Sequence, residues 1–233
     1  MGMSITIEAE APQELFEKAF AEFKRIDQVY STYKPQSVIS HIRSGKLLAQ
    51  DAPQEVQQVL EECAKWRTQT HGYFDAYYSG VLDPSSYVKG WAIAQVRDIL
   101  VQANLKRFLI DAGGDMSVAG VWRVGIQHPD KQNAIVAALQ LSDGAIATSG
   151  LYRRGEHIIN PKTASPANIL KSVTVVGPNI ITADILATTF FAMGEEYQAY
   201  AQELLPDTYE IYVIDSQNQA NYTAGLKTLL STQ

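Results

Sequence analysis

The stretch "RFLIDAGGD", residues 107–115, is where the hydrophobic pattern of the chain changes from helix to strand. Its short apolar run is followed at once by a pair of glycines, as in a strand that ends in a tight turn. Four similar segments follow, rich in apolar and β-branched residues and separated by Gly, Pro or Asn: "VWRVGIQHP", "AIVAALQLSDG", "AIATSG" and "KSVTVVGP". The middle of the chain is therefore predicted to form strands.

Upstream of this stretch the pattern is mainly helical, after an alternating segment, "MSITIEAE", that predicts an opening strand. Apolar residues recur every three or four positions after Pro12, after Pro53 and across "YVKGWAIAQVRDILVQANL". Downstream, "TADILATTFFAMG" and "EEYQAYAQELL" predict helices, and "TYEIYVID" predicts a late strand. Because helices and strands are partly segregated without a βαβ repeat, we expect an α+β fold. No linker or internal repeat interrupts the chain, so we expect a single compact domain over residues 1–233.

Composition and charge exclude several classes of protein. The 233 residues are 46% hydrophobic with a net charge of −6, and no cluster of Lys or Arg suggests a nucleic-acid partner. No run approaches the ~18 apolar residues of a membrane span. The N-terminal segment lacks the basic and apolar regions of a signal peptide and a lipidation cysteine. With Cys63 as the one cysteine, an intrachain disulfide is impossible, and we expect a cytoplasmic protein.

The segment "TADILATTFFAMG", residues 182–194, is an apolar helix that nevertheless has Asp184 and Thr188 one turn apart on the same face. In one interpretation, Thr182 caps the helix and the helix dipole favours Asp184 in the first turn. Thr188 is then unexplained, because β-branched residues are mediocre helix formers. In the other interpretation, the two side chains are oxygen ligands of a hard cation such as Mg²⁺. Both interpretations fit the segment itself.

Three further segments contain polar residues of types used in catalysis or ligand binding. Each segment also has a purely structural interpretation. The glycine pair before Asp115 is compatible with an anion-binding nest and with a strand-ending turn. His157 suits a catalytic base or a structural hydrogen-bond partner, and no nucleophile elbow or zinc-binding spacing surrounds it. The Tyr- and Phe-rich segment that contains Asp75, Asp83 and Lys89 suits a planar ligand such as a flavin, or aromatic packing within a loop.

Taken in chain order, several motifs resemble those of one known family. "DQVYSTYKPQSVISHI" is similar to D-x-x-x-S-T-Y-x-x-x-S, "GYFD" matches G-x-F/M-D, and "DAGGD" resembles x-x-G-G-D. "AIATSGLYRR" matches A-I/V-A/S-T-S-G-x-Y-x-R, and "HIINPKTASPA" resembles H-I/V-I-D-P-x-T-G-x-P. The pattern S-V-T-V followed by A-D and a Thr four residues after that Asp is similar to "SVTVVGPNIITADILATTFFAMG". These are motifs of the ApbE-type FAD:protein FMN transferases, and the resemblance runs from about Met1 to about Val213.

The resemblance implies an ApbE-like fold, with helices packed on a mixed, T-fold-like sheet, and a set of site residues. The helix Asp and the Thr four residues later carry over as Mg²⁺ ligands, whereas Ala187 offers only a backbone contact because its side chain has no donor atom. The turn "DPSSYVKG" corresponds to a family turn with one metal contact and two flavin contacts. The metal ligands implied are Ser86, Asp184, Ala187 and Thr188; the FAD contacts implied are Met1, Tyr33, Tyr73, Phe74, Asp75, Asp83, Lys89 and Ile159.

The activity implied is Mg²⁺-dependent transfer of FMN from FAD to a Thr or Ser hydroxyl of an acceptor protein, with release of AMP. His157 is the candidate general base, since an imidazole with a pKa near about 6.5 can accept the hydroxyl proton at neutral pH. Two alternatives stay open. Water in place of the acceptor would make the protein a Mg²⁺-dependent FAD pyrophosphatase, and loss of the chemistry would leave a non-catalytic flavin-binding protein.

The chain departs from the family pattern at three places. Only "AYYSGVL" separates Asp75 from Asp83, where most relatives have a much longer segment that covers the ligand. Asn160 stands where an Asp is usual, which removes a charge near the pocket. Ala164 stands where a Gly is usual, which restricts the backbone of the turn.

Overall fold

Helices form most of the first half of the chain, as the hydrophobic repeat predicts. The computed structural model describes residues 2–78, 80–131, 133–151 and 158–230. The first elements are β1 (Ile5–Ala9), α1 (Gln13–Tyr30), α2 (Val38–Arg43), a 3-10 turn (Ala49–Asp51), α3 (Gln54–Gln69) and α4 (Ser85–Gln102). Helices α1 and α3 begin directly after Pro12 and Pro53, the two predicted start points. The short α2, which the hydrophobic pattern does not predict, is capped by the hydroxyl of Ser37.

Strands follow from residue 108, and one long helix returns near the end of the chain. The elements are β2 (Phe108–Ala112), β3 (Asp115–Ala119), β4 (Val121–Gln127), β5 (Ile135–Ser142), β6 (Ala145–Gly150), β7 (Ile159–Asn160), β8 (Ser165–Pro166), β9 (Leu170–Gly177), α5 (Ile180–Met193), α6 (Tyr197–Leu204), β10 (Glu210–Asp215), β11 (Ala220–Tyr222) and α7 (Leu226–Leu229). The change from helix to strand therefore falls where the sequence predicts it.

Seven of the described strands form one sheet in the order β1-β2-β3-β6-β9-β10-β11. The resemblance implies a mixed sheet, but every neighbouring pair in this sheet is antiparallel. Strands β2 and β3 are joined by a two-residue turn in which Gly113 and Gly114 have φ angles of 66° and 93°. Positive φ at both central residues is what such a hairpin turn requires, and glycine adopts it without steric cost. The predicted α+β class is confirmed.

Successive side chains of a strand point to opposite faces of the sheet, and in this sheet both faces are apolar. On β2, Phe108 and Ile110 belong to the main core beneath the helices, and Leu109 between them belongs to a second core. The β4–β5 hairpin contributes Val124 and Leu139 to that second core, on the face away from the helices. The molecule therefore has three layers: helices, sheet and hairpin. Side chains of β3 and β6 that point toward the helices are enclosed between the first two layers.

A close crossing of α4 and α5 depends on Gly90. A Cβ atom added at this position would lie 3.0 Å from the carbonyl oxygen of Ile180 and 3.1 Å from the Cβ of Asp184. Glycine inside a helix costs about 1 kcal/mol relative to alanine. Here it lets the two helices approach until Lys89 and Asp184 are in contact. In the described part of the chain, no helix combines the length and the hydropathy needed to cross a bilayer.

Candidate active site

A buried ion cluster lies between α4, α5 and the first residue of β3. The ammonium of Lys89 lies 2.5 Å from Oδ2 of Asp115 and 3.1 Å from Oδ1 of Asp184. Both aspartates are 1% exposed, whereas a quarter of the Lys89 side chain remains accessible. Ionised carboxylates are rarely buried unless a charge or several hydrogen bonds compensate them. One lysine therefore bridges two carboxylates that come from different layers of the fold.

Backbone amides hold the other oxygens of both carboxylates. The amide of Gly90 donates to Oδ2 of Asp184 at 2.9 Å, and the amide of Thr148 donates to Oδ1 of Asp115 at 3.1 Å. Because these donors belong to α4 and β6, the two carboxylates are fixed relative to both elements. Residues of four separate elements of the fold, α4, α5, β3 and β6, therefore form the cluster.

The charges of the cluster do not cancel. With Lys89 protonated and both aspartates ionised, three side chains carry a net charge of −1. Burial raises the pKa of Asp184 to about 7, against the attraction of Lys89, and the charge of Asp115 raises it further. Burial lowers the pKa of Lys89, but Asp115 and Asp184 outweigh burial and the net shift is upward. The site therefore favours an additional positive charge close to Asp184.

Hydroxyl groups continue the site one helical turn beyond Asp184. Thr188 is half-buried, and its Oγ1 lies 2.9 Å from Oγ of Ser149 on β6. Ser86, also half-buried, is in the first turn of α4, three residues before Lys89. Ala187 is fully buried, so its side chain offers nothing beyond core packing. Four implied metal ligands thus lie on the two helices that cross at Gly90.

The start of α5 corrects one of the two interpretations of Asp184. The cap is Asn179, whose Oδ1 accepts hydrogen bonds from the amides of Ile181 at 2.8 Å and Thr182 at 3.3 Å. Thr182 is therefore inside the helix, and Asp184 lies beyond its first turn. The helix dipole acts mainly within that first turn. Stabilisation by the dipole does not account for a carboxylate that is buried and paired with Lys89.

The donor set fits a hard divalent cation that also binds substrate phosphates. In the described ranges, no group of three or more His, Cys, Asp or Glu side chains is arranged as a metal site. Mg²⁺ does not require one, because it commonly keeps several waters and binds through one or two carboxylates plus phosphate oxygens. Asp184 supplies a carboxylate, Thr188 supplies a hydroxyl, and the net negative charge supplies the electrostatic attraction. The residues present therefore suit Mg²⁺ better than Zn²⁺, which prefers nitrogen and sulfur ligands.

The shortened segment between Asp75 and Asp83 is a closed loop. The amide of Asp83 donates to the carbonyl of Ala76 at 2.7 Å, which brings the two ends of the loop together. Asp75 accepts from the amide of Tyr77 at 2.8 Å and pairs with Arg67 at 3.0 Å, and Asp83 accepts from the amide of Ser85 at 3.0 Å. Two implied flavin contacts are therefore adjacent, next to the start of α4.

The remaining implied flavin contacts differ widely in exposure. Tyr33 is 94% exposed, whereas Tyr73 and Phe74 are buried in the main core. The hydroxyl of Tyr73 donates to Glu196, and the ammonium of Lys162 lies 3.8 Å from the centre of its ring. The Tyr73 and Phe74 side chains therefore have packing roles of their own.

The β7–β8 turn contains both substitutions of the family pattern. Asn160 accepts a hydrogen bond from the amide of Lys162 at 2.9 Å, as an Asp would. Ala164 has a φ of 54°, so the residue occupies the left-handed conformation that the usual glycine adopts more easily. Ile159, half-buried, pairs with Pro166 in the same turn. The implied contact Met1 and the candidate base His157 lie outside the described residues.

The glycine pair is a structural turn. The amide of Gly113 donates to the carbonyl of Ser4 at 3.1 Å, and the amide of Gly114 donates to Oδ1 of Asp111 at 2.7 Å. Because both amides already have partners, neither is free to bind an anion. Of the two interpretations of this motif, the strand-ending turn is the one that the geometry supports.

Sequence reasoning underestimates two residues of the site, Asp115 and Ser149. Asp115 marks the end of the glycine motif, and Ser149 suits a nucleophile only where an elbow motif surrounds it. The local sequence around these two residues does not indicate that their side chains face the layer of helices. An available signal is alternation: on β3 and β6 these residues share a strand face with core residues such as Ala147.

Comparison with known proteins finds relatives of one family. The sequence model of the ApbE family matches residues 1–82 and 78–213, and the two matches overlap within the shortened loop. A FAD:protein FMN transferase of Vibrio cholerae is 36% identical over 131 residues, which cover 49% of this chain and 39% of that protein. The chain therefore spans less than half the length of the curated relatives that it matches.

Solved structures share the fold over nearly the whole chain. The ApbE protein of Thermotoga maritima superposes with a TM-score of 0.84 at 18% identity, covering 99% of this chain and 95% of its own. The flavin transferase ApbE of Vibrio cholerae superposes with a TM-score of 0.83 at 22% identity, covering 99% and 96%. These identities establish the common architecture alone. Together with a family model that matches most of its length, they lead to one conclusion: this chain belongs to the ApbE family.

Proposed function

We propose that this protein transfers FMN from FAD to a Thr or Ser hydroxyl of an acceptor protein in a Mg²⁺-dependent reaction that releases AMP. The observation that supports this most directly is the negatively charged cluster of Lys89, Asp115 and Asp184, one turn from the hydroxyl of Thr188. It is the kind of oxygen-rich site that binds a cation together with a pyrophosphate. Relatives named FAD:protein FMN transferase give the reaction class.

The residues of the chain have separate tasks in this proposal. Asp184, Thr188 and Ser86, with the backbone of Ala187, would hold Mg²⁺. When bound, the ion would neutralise the pyrophosphate charge and make the attacked phosphorus more electrophilic. The accessible part of Lys89 would stabilise negative charge on the departing phosphate.

The reaction balances without a further reactant. The acceptor oxygen forms a bond to the phosphorus of the FMN half, and the bond from that phosphorus to the bridging oxygen breaks. The bridging oxygen leaves with AMP, and the hydroxyl proton passes to His157 as general base. The contacts to FAD that the family resemblance implies are Lys89, Tyr33, Asp75 and Asp83, together with Met1, Tyr73, Phe74 and Ile159.

Incubation of the protein with FAD, Mg²⁺ and an acceptor protein carrying the family's target motif tests the proposal. We expect one acceptor Thr or Ser to gain the mass of FMN, with one AMP released per adduct, and both products to disappear when Mg²⁺ is chelated. FMN and AMP without an adduct would identify a pyrophosphatase instead. Flavin binding without AMP would identify a non-catalytic binding protein.

A further inference from the structure

We infer that Asp115 is a positioning residue that holds the ammonium of Lys89 while Asp184 binds the divalent cation. This inference rests on the proposed function, because it concerns how Asp184 becomes free of Lys89 and able to bind Mg²⁺. Asp115 is outside the ligand set and the flavin contacts that the family resemblance supplies. Its assignment comes from the contacts of the buried cluster.

The geometry distinguishes the two carboxylates. Lys89 is closer to Asp115, at 2.5 Å, than to Asp184, at 3.1 Å. Asp115 is the first residue of β3, and its other oxygen is fixed by the amide of Thr148. Asp184 lies on the same helix as the hydroxyl of Thr188, which in turn contacts Ser149. One carboxylate is thus held by the sheet, and the other has a second oxygen group one turn away.

Electrostatics makes two carboxylates necessary. A divalent cation on Asp184 repels an ammonium ion about 3 Å from that carboxylate, and the repulsion is strong in a buried site. Lys89 can stay in place only if another anion compensates it. Asp115 is the carboxylate within reach, so the cation would take over Asp184 while the lysine keeps its nearer partner. The net charge of −1 would then become +1 before the phosphates of the substrate bind.

The net charge of the cluster predicts the order of Mg²⁺ affinities among a set of variants. Asp115→Asn leaves a net charge of zero, with Lys89 paired to Asp184 alone, so a cation must displace the lysine from its last carboxylate. The double variant Lys89→Met with Asp115→Asn restores a net charge of −1 on Asp184. Asp111→Asn is the matched control: it removes one carboxylate from the same hairpin, but Asp111 bonds the turn amide of Gly114 and is outside the cluster.

Titration calorimetry with Mg²⁺ alone, without FAD, measures the effect directly. We expect Asp115→Asn to weaken Mg²⁺ binding roughly ten- to hundredfold, the usual effect of losing a group that supports metal ligands. The double variant should recover most of the affinity, and Asp111→Asn should equal the wild type. Thermal unfolding without metal, measured in parallel, identifies any variant that is not folded.

Three outcomes would overturn the inference in distinguishable ways. Equal Mg²⁺ affinity of the wild type and Asp115→Asn would reject the role of Asp115 and leave the proposed function intact. Failure of the wild type itself to bind Mg²⁺ at millimolar concentration would reject the inference, which requires a cation on Asp184 before the phosphates bind, whereas the proposed function is tested separately by Mg²⁺-dependent AMP release from FAD. If Asp115→Asn does not fold, the double variant decides, since weak binding there would contradict the charge argument.

Discussion

Replacing Asp184 with Asn should make the protein more stable and inactive at the same time. Burial raises the pKa of Asp184 to about 7 from 3.8, so the ionised carboxylate is disfavoured in the folded state. An asparagine has the shape of the protonated acid and can still accept from the amide of Gly90. Lys89 keeps its partner Asp115. The variant therefore removes an unfavourable charge without leaving a buried group unpaired.

The size of the expected change in the free energy of unfolding follows from the pKa of Asp184. The interval from 3.8 to about 7 corresponds to an upper bound of about 4 kcal/mol, since each pKa unit is worth about 1.4 kcal/mol. The folded state binds this proton more tightly than the unfolded state, so the wild type loses stability as pH rises from about 4 to about 7. The advantage of Asp184→Asn should therefore be near zero at pH 4, grow across that window and stay constant above it.

Urea unfolding from pH 4 to pH 8, in the presence of chelator, measures the free energy of unfolding of both proteins. Added Mg²⁺ should stabilise the wild type but not Asp184→Asn, because only the wild type has the charged ligand. AMP release from FAD should be lost in the variant. A variant less stable than the wild type at pH 8, or a stability difference that does not change with pH, would refute the argument that burial destabilises this charge.

Three further predictions concern single side chains. Thr188→Val keeps the volume of the side chain and removes the hydroxyl that contacts Ser149, so the Mg²⁺ concentration needed for half-maximal AMP release should rise about tenfold. Thr189→Val is the matched control, because the Thr189 hydroxyl has no hydrogen-bond partner in the described structure. Ala164→Gly should raise the free energy of unfolding by about 1 kcal/mol by relieving the φ of 54°, and an unchanged thermal midpoint would mean that the turn carries no strain. Tyr33→Ala should change stability by less than about 0.5 kcal/mol, since the side chain is 94% exposed, yet weaken FAD binding measured by fluorescence; unaltered binding would remove Tyr33 from the flavin contacts.

Local patterns carried most of the fold prediction. Helices α1 and α3 begin after the prolines that mark them, and the run of strands after α4 begins at the segment containing Phe108. These features depend on backbone geometry and on residues only a few positions apart. The missed helix α2 has six residues, too few to establish a hydrophobic repeat. The direction of the strands in the sheet depends on pairing between distant segments, which periodicity does not encode.

The acid–hydroxyl pair of the candidate site was predictable for the same reason. Asp184 and Thr188 are four residues apart, so the helical repeat alone places both on one face. The helix start was wrong because Asn179 and Thr182 are both good caps, and the difference between them lies in the backbone conformation at Asn179. Residue preference alone does not choose between two good caps three residues apart; the hydrogen bonds that Asn179 accepts identify the cap.

The sequence by itself determined most of the elements, the α+β class, the family resemblance and the acid–hydroxyl pair on α5. The tertiary structure alone decided that Asp115 meets Lys89, that Ser149 meets Thr188, and that the amides of the glycine turn are already occupied. The physical reason is the range of the interactions. Capping, periodicity and turn formation act over a few residues, whereas a buried charge is compensated by whichever group the packing of helices on the sheet brings next to it.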